Sequence, residues 1–192
     1  PPPVAGRCPE SATAGHSIAA TFGYEDGENI PLDVMLDMVG RIVASTDLPV
    51  SADLESGFAI GPAGVAETIR LAAKTGLVGG SIEDATGQPG APIYPIGVAV
   101  ERISAAVAAA RALPFPFTLT ARAENFLYGR PDLDDTIRRL QAYEAAGADV
   151  LFAPGLPDAA AIRTVCSAVT RPVNVIAGDG GPQLSVTQLA EC

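Results

Sequence analysis

Short β-rich runs alternate with alanine-rich helical runs from Leu48 onward, and this alternation restricts the fold more than any other feature of the sequence. One strand and one helix recur about every thirty residues, which is the size of a βα unit. The β-rich runs lack clean polar alternation, as strands do when both faces of a parallel sheet are covered. The chain is therefore predicted to be an α/β protein whose helices connect parallel strands.

The individual elements follow from the same pattern. Strands are predicted at residues 48–53, 77–83, 116–122, 149–153 and 172–177. Helices are predicted at residues 31–45, 62–75, 96–112, 132–146, 157–169 and 182–190. Pro62 and Pro131 stand near helix starts, and Gly76 and Gly147 stand just past helix ends, where these residue types are favoured.

Two architectures are built from such a repeat. A dinucleotide-binding sheet carries a tight glycine fingerprint after its first strand, whereas Gly57, Gly61 and Gly64 are loosely spaced and follow acidic residues. In a TIM (β/α)₈ barrel, catalytic groups come from the carboxyl ends of several strands, which is where charged residues lie here. Such a barrel takes roughly 250 residues, and only five strands can be drawn, so we expect an incomplete TIM barrel.

Composition limits the function classes. A chain of 192 residues with 48% hydrophobic residues can form one good core. The net charge of −10, with only 12 scattered lysines and arginines, argues against a nucleic-acid partner. We find no apolar run long enough to span a bilayer, no secretory signal, and no metal or redox spacing among Cys8, Cys166 and Cys192. A cytoplasmic protein with no membrane partner is the expectation.

Acidic residues follow two of the predicted strands. Asp53 and Glu55 are two residues apart at the end of the first strand, so strand alternation predicts that both point the same way. Glu83 ends the next strand, and Asp84 is expected to face away from it. Like charges at close range raise each other's pKa unless a cation lies between them. The cluster therefore favours a bound divalent cation, although acids after strands also serve as helix caps or solvated loop residues.

A third strand ends in Arg122 and Glu124. A guanidinium at this place can bind a substrate carboxylate or phosphonate through two parallel hydrogen bonds. It can equally form a structural ion pair with Glu83 or Glu124, because charges are rarely buried without a partner. The two roles are compatible, and both remain open at this point.

Three further features of the sequence bear on its function. The segment from Gly87 to Pro95 is rich in Gly and Pro, which is typical of either a mobile lid or a surface loop. Gly178 to Pro182 could offer backbone N–H groups to a phosphate, but a tight turn explains its glycines as well. His16 is the only histidine, so the sequence does not favour a histidine-centred triad.

Five ordered segments resemble motifs of the isocitrate lyase and phosphoenolpyruvate mutase superfamily. They are residues 23–28, 52–58, 81–84, 120–124 and 142–149. The Asp-Leu-Glu sequence at residues 53–55 is most similar to a broad, poorly assigned bacterial branch that is phosphoenolpyruvate phosphonomutase-like. The resemblance implies a Mg²⁺-dependent TIM barrel that acts on C–C or P–C bonds of 2-oxo acids or related carboxylates through an enolate.

The resemblance also implies roles for matching residues. The family's acidic magnesium-site positions, which act mostly through bound waters, correspond to Asp26, Asp53, Glu55 and Glu83. We expect Asp53, Glu55 and Glu83 to hold Mg²⁺, with Mn²⁺ as an alternative ion. Asp26 and Glu124 are expected to be catalytic, and Arg122 and Asn125 to bind substrate. The implied partners are a small carboxylate or 2-oxo acid and, for a full-length protein, further copies of the same chain.

The sequence departs from the family pattern in three places. Residues 87–92 replace the Lys-Lys-Cys-Gly-His motif of the lyases and the lysine- or asparagine-bearing gate of the mutases. Residues 1–17 show neither a first strand nor the serine- and glycine-rich loop that holds the substrate carboxylate, and the sequence stops at Cys192, where the family goes on to an eighth strand and further helices.

From these departures we expect an atypical segment at 1–17, a partial barrel at 18–192, and truncation at both ends, with a frameshift upstream of about residue 18. Two alternatives stay open: an inactive fragment of such an enzyme, and a phosphate-binding barrel enzyme of another family.

Overall fold

A computed structural model describes residues 11–13, 15–176 and 181–192. The strands are β1 (Ser11–Ala12), β2 (Val50–Asp53), β3 (Gly79–Glu83), β4 (Thr118–Arg122), β5 (Val150–Phe152) and β6 (Val173–Asn174). The helices are α1 (Gly15–Thr21), α2 (Leu32–Ala44), α3 (Pro62–Lys74), α4 (Ile96–Arg111), α5 (Leu133–Ala145), α6 (Ala159–Ala168) and α7 (Val186–Ala190).

The six strands form one sheet in the order β1-β2-β3-β4-β5-β6, and every neighbouring pair is parallel. Strand order equals chain order, as in a barrel-type α/β fold, whereas a doubly wound sheet reverses direction at a switch point. The prediction of an α/β fold with a parallel sheet is confirmed. Among the described strands, β1 and β6 are the two edges, so no closure of the sheet is seen within this part of the chain.

The amino-terminal part differs from the sequence-based expectation. We expected no strand within residues 1–17, but Ser11 and Ala12 pair with Val50 and Ser51. Helix α1 then crosses the expected boundary between residues 17 and 18. A two-residue strand of small side chains carries no hydrophobic periodicity, so the pattern could not reveal it.

The core lies between the sheet and the helices. It contains fully buried aliphatic side chains from the strands, the helices and the turns that join them, among them Ile69, Leu77, Leu119, Leu140 and Leu151. Helix α3 has a proline in its first turn, and α5 is capped by the Asp132 carboxylate, which accepts the backbone N–H of Asp135. In the described part of the chain, no helix is both long enough and apolar enough to cross a membrane.

The Gly- and Pro-rich segment at 87–95 is part of a loop closed by backbone hydrogen bonds. Ala85 forms an antiparallel bridge with Ile93, and the Tyr94 N–H donates to the Asp84 carbonyl. The tip of the loop around residues 87–91 is exposed. The structure therefore shows a loop whose base is fixed against β3, and a lid function stays a prediction.

Candidate active site

A cavity of about 660 Å³ opens at the carboxyl ends of β2, β3 and β4. Its acidic lining comes from Asp26, Asp53, Glu55, Glu83 and Glu124, and Arg122 also lies on its wall. The structure thus brings together six of the seven site residues expected from the sequence. The seventh, Asn125, does not line this cavity.

The strand register explains why these side chains meet. Asp53 is paired with Ser81, and Ser81 with Thr120. One step further toward the carboxyl ends, Glu83 is paired with Arg122. Because residues two apart on a strand point to the same side, the two layers project into the same space. The deeper layer holds the Asp53 carboxylate with the Ser81 and Thr120 hydroxyl groups, and the layer nearer the mouth holds Glu83 and Arg122.

Arg122 forms three ion pairs within the cavity. Its Nη1 lies 2.8 Å from Asp53 Oδ2, its Nη2 lies 3.0 Å from Glu83 Oε2, and its Nε lies 2.9 Å from Glu124 Oε1. Burial disfavours the charge, but the three carboxylates outweigh it and hold the pKa of Arg122 above its usual range. The structural ion pairing considered for Arg122 is therefore present, and its guanidinium is the centre of the charge cluster.

The carboxylates outnumber this cation. Burial raises the pKa of Glu83 and of Glu124 above the ordinary glutamate value, and Arg122 offsets part of that rise in each case. Burial also raises the pKa of Glu55 to about 7. A site with this excess of buried carboxylate takes up either protons or an additional cation.

Glu55 does not follow the strand alternation used to predict its direction. Strand β2 ends at Asp53, and Glu55 lies in a turn with a left-handed φ of 49°. Its Oε2 accepts the Glu28 N–H at 2.6 Å, and its own N–H donates to Asp53 Oδ1 at 3.1 Å. Both acids still line the cavity, because the turn, rather than the pleat, directs Glu55 toward it.

The fit of a metal ion can be judged from the donor atoms. Within the described residues, no group of three or more His, Cys, Asp or Glu side chains is arranged to hold a metal directly. However, Glu55 is only 5% exposed and its Oε1 is buried without a hydrogen-bond partner in the described structure. The acidic side chains of the cavity offer only oxygen donors, which is the chemistry that Mg²⁺ prefers. Asp53, Glu55 and Glu83 thus fit a Mg²⁺ ion that keeps several waters, and their ligand role stays a prediction.

Two other expected site residues lie at different depths. Asp26 is exposed at the rim of the cavity. Asn125 is fully buried, and its Nδ2 donates to Asp135 Oδ2 while its Oδ1 has no hydrogen-bond partner in the described structure. Asn125 does not line the cavity, and its substrate-binding role stays a prediction.

Asp84 faces away from the cavity, as the alternation predicts. Its Oδ1 accepts the Glu124 N–H at 2.8 Å. Its Oδ2 accepts Arg139 Nη1 at 2.9 Å and the Tyr143 hydroxyl at 2.6 Å. Asp84 therefore fastens the end of β4 to helix α5 and fixes the backbone of Glu124 beside Arg122.

Several cavity residues were not identified from the sequence. His16 and Tyr128 line the cavity, and the Arg122 guanidinium lies 5.3 Å from the centre of the Phe152 ring. Burial and the nearby Glu83 and Glu124 carboxylates raise the pKa of Tyr128 to about 12. Tyr128 could have been found by its place in the loop that follows β4, because such loops form the mouth of a barrel-type site.

The glycine-rich phosphate site considered at residues 178–182 lies mostly outside the described residues.

Comparisons with known proteins identify the family of the chain. Residues 7–192 match the family model described as phosphoenolpyruvate phosphomutase. The chain is 32% identical over 167 residues to a 2-methylisocitrate lyase of Escherichia coli (strain K12), covering 84% of this chain and 55% of that protein. It is 31% identical over 166 residues to an oxaloacetate decarboxylase of Bradyrhizobium diazoefficiens, covering 83% of this chain and 56% of that protein.

Solved structures give the same result. A protein of Burkholderia cenocepacia J2315, provisionally described as a lyase/mutase, superposes with a TM-score of 0.91 and 59% identity over 95% of this chain and 65% of its own. A phosphonopyruvate hydrolase crystallised with oxalate and Mg²⁺ has a TM-score of 0.84 at 24% identity, over 94% of this chain and 63% of its own, which shows a shared fold.

The chain spans slightly more than half the length of the two relatives that it matches by sequence. The family model, in contrast, covers nearly all of the chain. The chain therefore belongs to the phosphoenolpyruvate phosphomutase family, within the isocitrate lyase and phosphoenolpyruvate mutase superfamily that its motifs predicted.

Proposed function

We propose that this chain carries the active site of a Mg²⁺-dependent enzyme that makes or breaks a C–C or P–C bond in a 2-oxo acid or related carboxylate through an enolate. The proposal rests chiefly on the Arg122 guanidinium, which lies among the carboxylates of Asp53, Glu83 and Glu124 at the ends of three adjacent strands. We further propose that these strands are part of a (β/α)₈ barrel, which their sequential parallel order supports.

Asp53, Glu55 and Glu83 are the residues that would hold the ion. When bound, Mg²⁺ would supply a positive charge that stabilises a developing enolate and binds an anionic substrate. The need for such a charge follows from the site itself, because three largely buried carboxylates already surround the Arg122 guanidinium, and an anionic substrate would add to the negative excess.

Side chains of the chain itself would bind the substrate and transfer protons. Arg122 presents a planar set of N–H donors that can turn from its present carboxylate partners to the carboxylate of a substrate. Glu124 is held 2.9 Å from Arg122 Nε and has a raised pKa, so it can hold or release a proton beside the bound substrate. Asp26, which lines the cavity at its rim, would act on the side of the substrate that faces solvent. The hydroxyl groups of Ser81 and Thr120 line the deeper layer and can orient a substrate oxygen.

The substrate class follows from the charges and from the relatives. A compact acidic cavity with one arginine suits a small carboxylate bound together with a cation, and the relatives are named for 2-methylisocitrate and oxaloacetate. Residues 87–92 contain no cysteine, so any C–C cleavage here must use another acid or base than the cysteine of the family's lyase motif.

The test is an activity panel on the 192-residue protein. Oxaloacetate, 2-methylisocitrate and phosphonopyruvate are each incubated with and without Mg²⁺, and product formation is followed by NMR. We expect turnover of at least one substrate that stops on addition of EDTA, and loss of substrate capture in Arg122→Lys, which keeps the charge but loses the planar fork. Turnover that is unchanged by EDTA and unchanged in Arg122→Lys would contradict the proposal.

A further inference from the structure

Three non-glycine residues in the described structure have a positive φ, and all three lie at one junction beside the cavity. They are Glu28 with φ 63°, Glu55 with φ 49° and Phe58 with φ 51°. Such conformations cost free energy for residues that carry a Cβ, and they persist only where surrounding contacts enforce them. The junction joins the loop that carries Asp26 to the turn that follows β2.

Reciprocal hydrogen bonds enforce this geometry. The Glu28 N–H donates to Glu55 Oε2 at 2.6 Å. In the opposite direction, Glu28 Oε1 accepts the Phe58 N–H at 2.6 Å and the Ser56 hydroxyl at 2.9 Å. Each glutamate thus binds the segment that carries the other, and we name the pair Glu28 and Glu55 the glutamate clasp.

A buried arginine on a core helix binds the turn that carries Glu55. Arg102 of helix α4 is 1% exposed and donates to the carbonyl groups of Ser56 and Ile60. Its Nη2 also lies 3.5 Å from the Ser56 hydroxyl, which in turn donates to Glu28. This chain of donors places a positive charge behind the Glu28 carboxylate, and it ties the clasp to a helix of the core.

The clasp also fixes Glu55, the only cavity acid with a buried oxygen that lacks a hydrogen-bond partner among the described residues. Glu55 Oε1 has no hydrogen-bond partner in the described structure, and a Cβ on Gly15 would lie 2.9 Å from it. With Oε2 held by Glu28, the carboxylate cannot rotate away without breaking the clasp.

We infer that Glu28 is a positioning residue: its carboxylate locks the Asp26 loop onto the turn after β2 and thereby holds Glu55 in the cavity. The locking is independent of any metal. Its effect on Mg²⁺ rests on the function proposed above, because a carboxylate that is already ordered loses less freedom when it binds an ion.

The first measurement is amide hydrogen exchange by NMR on the full 192-residue protein without metal. Glu28→Ala removes the acceptor, whereas Glu28→Gln keeps an amide oxygen that can accept the same two donors. We expect exchange of the Phe58 and Glu28 amides to be about 10- to 100-fold faster in Glu28→Ala, as the loss of a charged hydrogen bond implies, and near the wild-type rate in Glu28→Gln. Ser56→Ala removes one of the two donors and should give a smaller increase. Wild-type exchange rates in Glu28→Ala would overturn the inference.

The second measurement is Mg²⁺ affinity by calorimetry, with Glu25→Ala as a matched control. Glu25 is exposed in the same loop, so Glu25→Ala and Glu28→Gln each remove one negative charge without removing the acceptor. We expect Glu28→Ala to weaken Mg²⁺ binding beyond both. Equal affinities in all three variants would overturn the effect on the metal. A wild-type protein that binds no Mg²⁺ would refute the proposed function, while the exchange rates would still decide whether the clasp exists.

Discussion

Replacing Arg122 with leucine is expected to destabilise the protein strongly, and to do so in a pH-dependent way. In the part of the chain that the structure describes, the substitution removes the one cation bonded to Asp53, Glu83 and Glu124, whose side chains are 21%, 11% and 2% exposed. Removing one partner of a buried ion pair costs about 3 to 5 kcal/mol, because the remaining charge is left uncompensated. We expect the lower part of that range at pH 8, about 3 to 4 kcal/mol, since Asp53 retains some contact with solvent.

The pH dependence follows from the raised pKa values of Glu83 and Glu124. Without Arg122 these pKa values rise further, so both groups become neutral as the pH falls, and the variant should regain part of the lost stability between pH 8 and pH 5.5. The assay is urea unfolding of both proteins at the two pH values. Arg70→Leu is the control, because Arg70 pairs with Glu67 on the surface and its loss should cost at most about 1 kcal/mol. A loss of stability in Arg122→Leu that equals the control, or that does not change with pH, would refute this reasoning.

Two further substitutions, at Asp84 and Asp135, test the ion pairs with Arg139 beside the cavity. Asp84→Asn should lower the free energy of unfolding by about 2 to 4 kcal/mol in a urea titration, because Arg139 loses its buried anionic partner; a change under about 1 kcal/mol would contradict the anchoring role. Burial opposes ionisation of Asp135, but hydrogen bonds from Arg139, Asn125 and Arg138 outweigh it and lower its pKa to about 2. Because this pKa is lower in the folded state than in the unfolded chain, where it is near 4, the ionised Asp135 stabilises the fold above about pH 4, and this stabilisation is lost as the pH falls toward 2. Asp135→Asn should therefore lower the free energy of unfolding by about 1 to 2 kcal/mol at pH 7 and by progressively less at acid pH. A loss that stays constant down to pH 2.5 would show that the charge of Asp135 is not its source.

Much of the fold could be predicted because the βα repeat is regular. The strands at Val50–Asp53 and Gly79–Glu83 lie within the predicted ranges, and each of the six predicted helices has a counterpart in the structure. The strand at Ser11–Ala12 could not be predicted, since its pairing with β2 depends on a tertiary contact and not on local apolar periodicity.

The site was predictable where it depends on strand ends, and not where it depends on turns. Asp53, Glu83 and Arg122 share the cavity because parallel strands end at one edge. Glu28 became apparent only in the structure, because its importance comes from a left-handed turn and from donors 28 and 30 residues away along the chain.

The most direct test of the proposed magnesium site is a Mg²⁺ titration by calorimetry near pH 7, carried out in two buffers of different ionisation enthalpy. We predict one binding event that releases protons, because the pKa of Glu55 is about 7 and a bound cation lowers it. The binding should be lost in Asp53→Ala and kept in Asp37→Ala, which removes an exposed carboxylate on helix α2. Equal heats in wild type and Asp53→Ala would contradict the proposal that Asp53, Glu55 and Glu83 form a magnesium site.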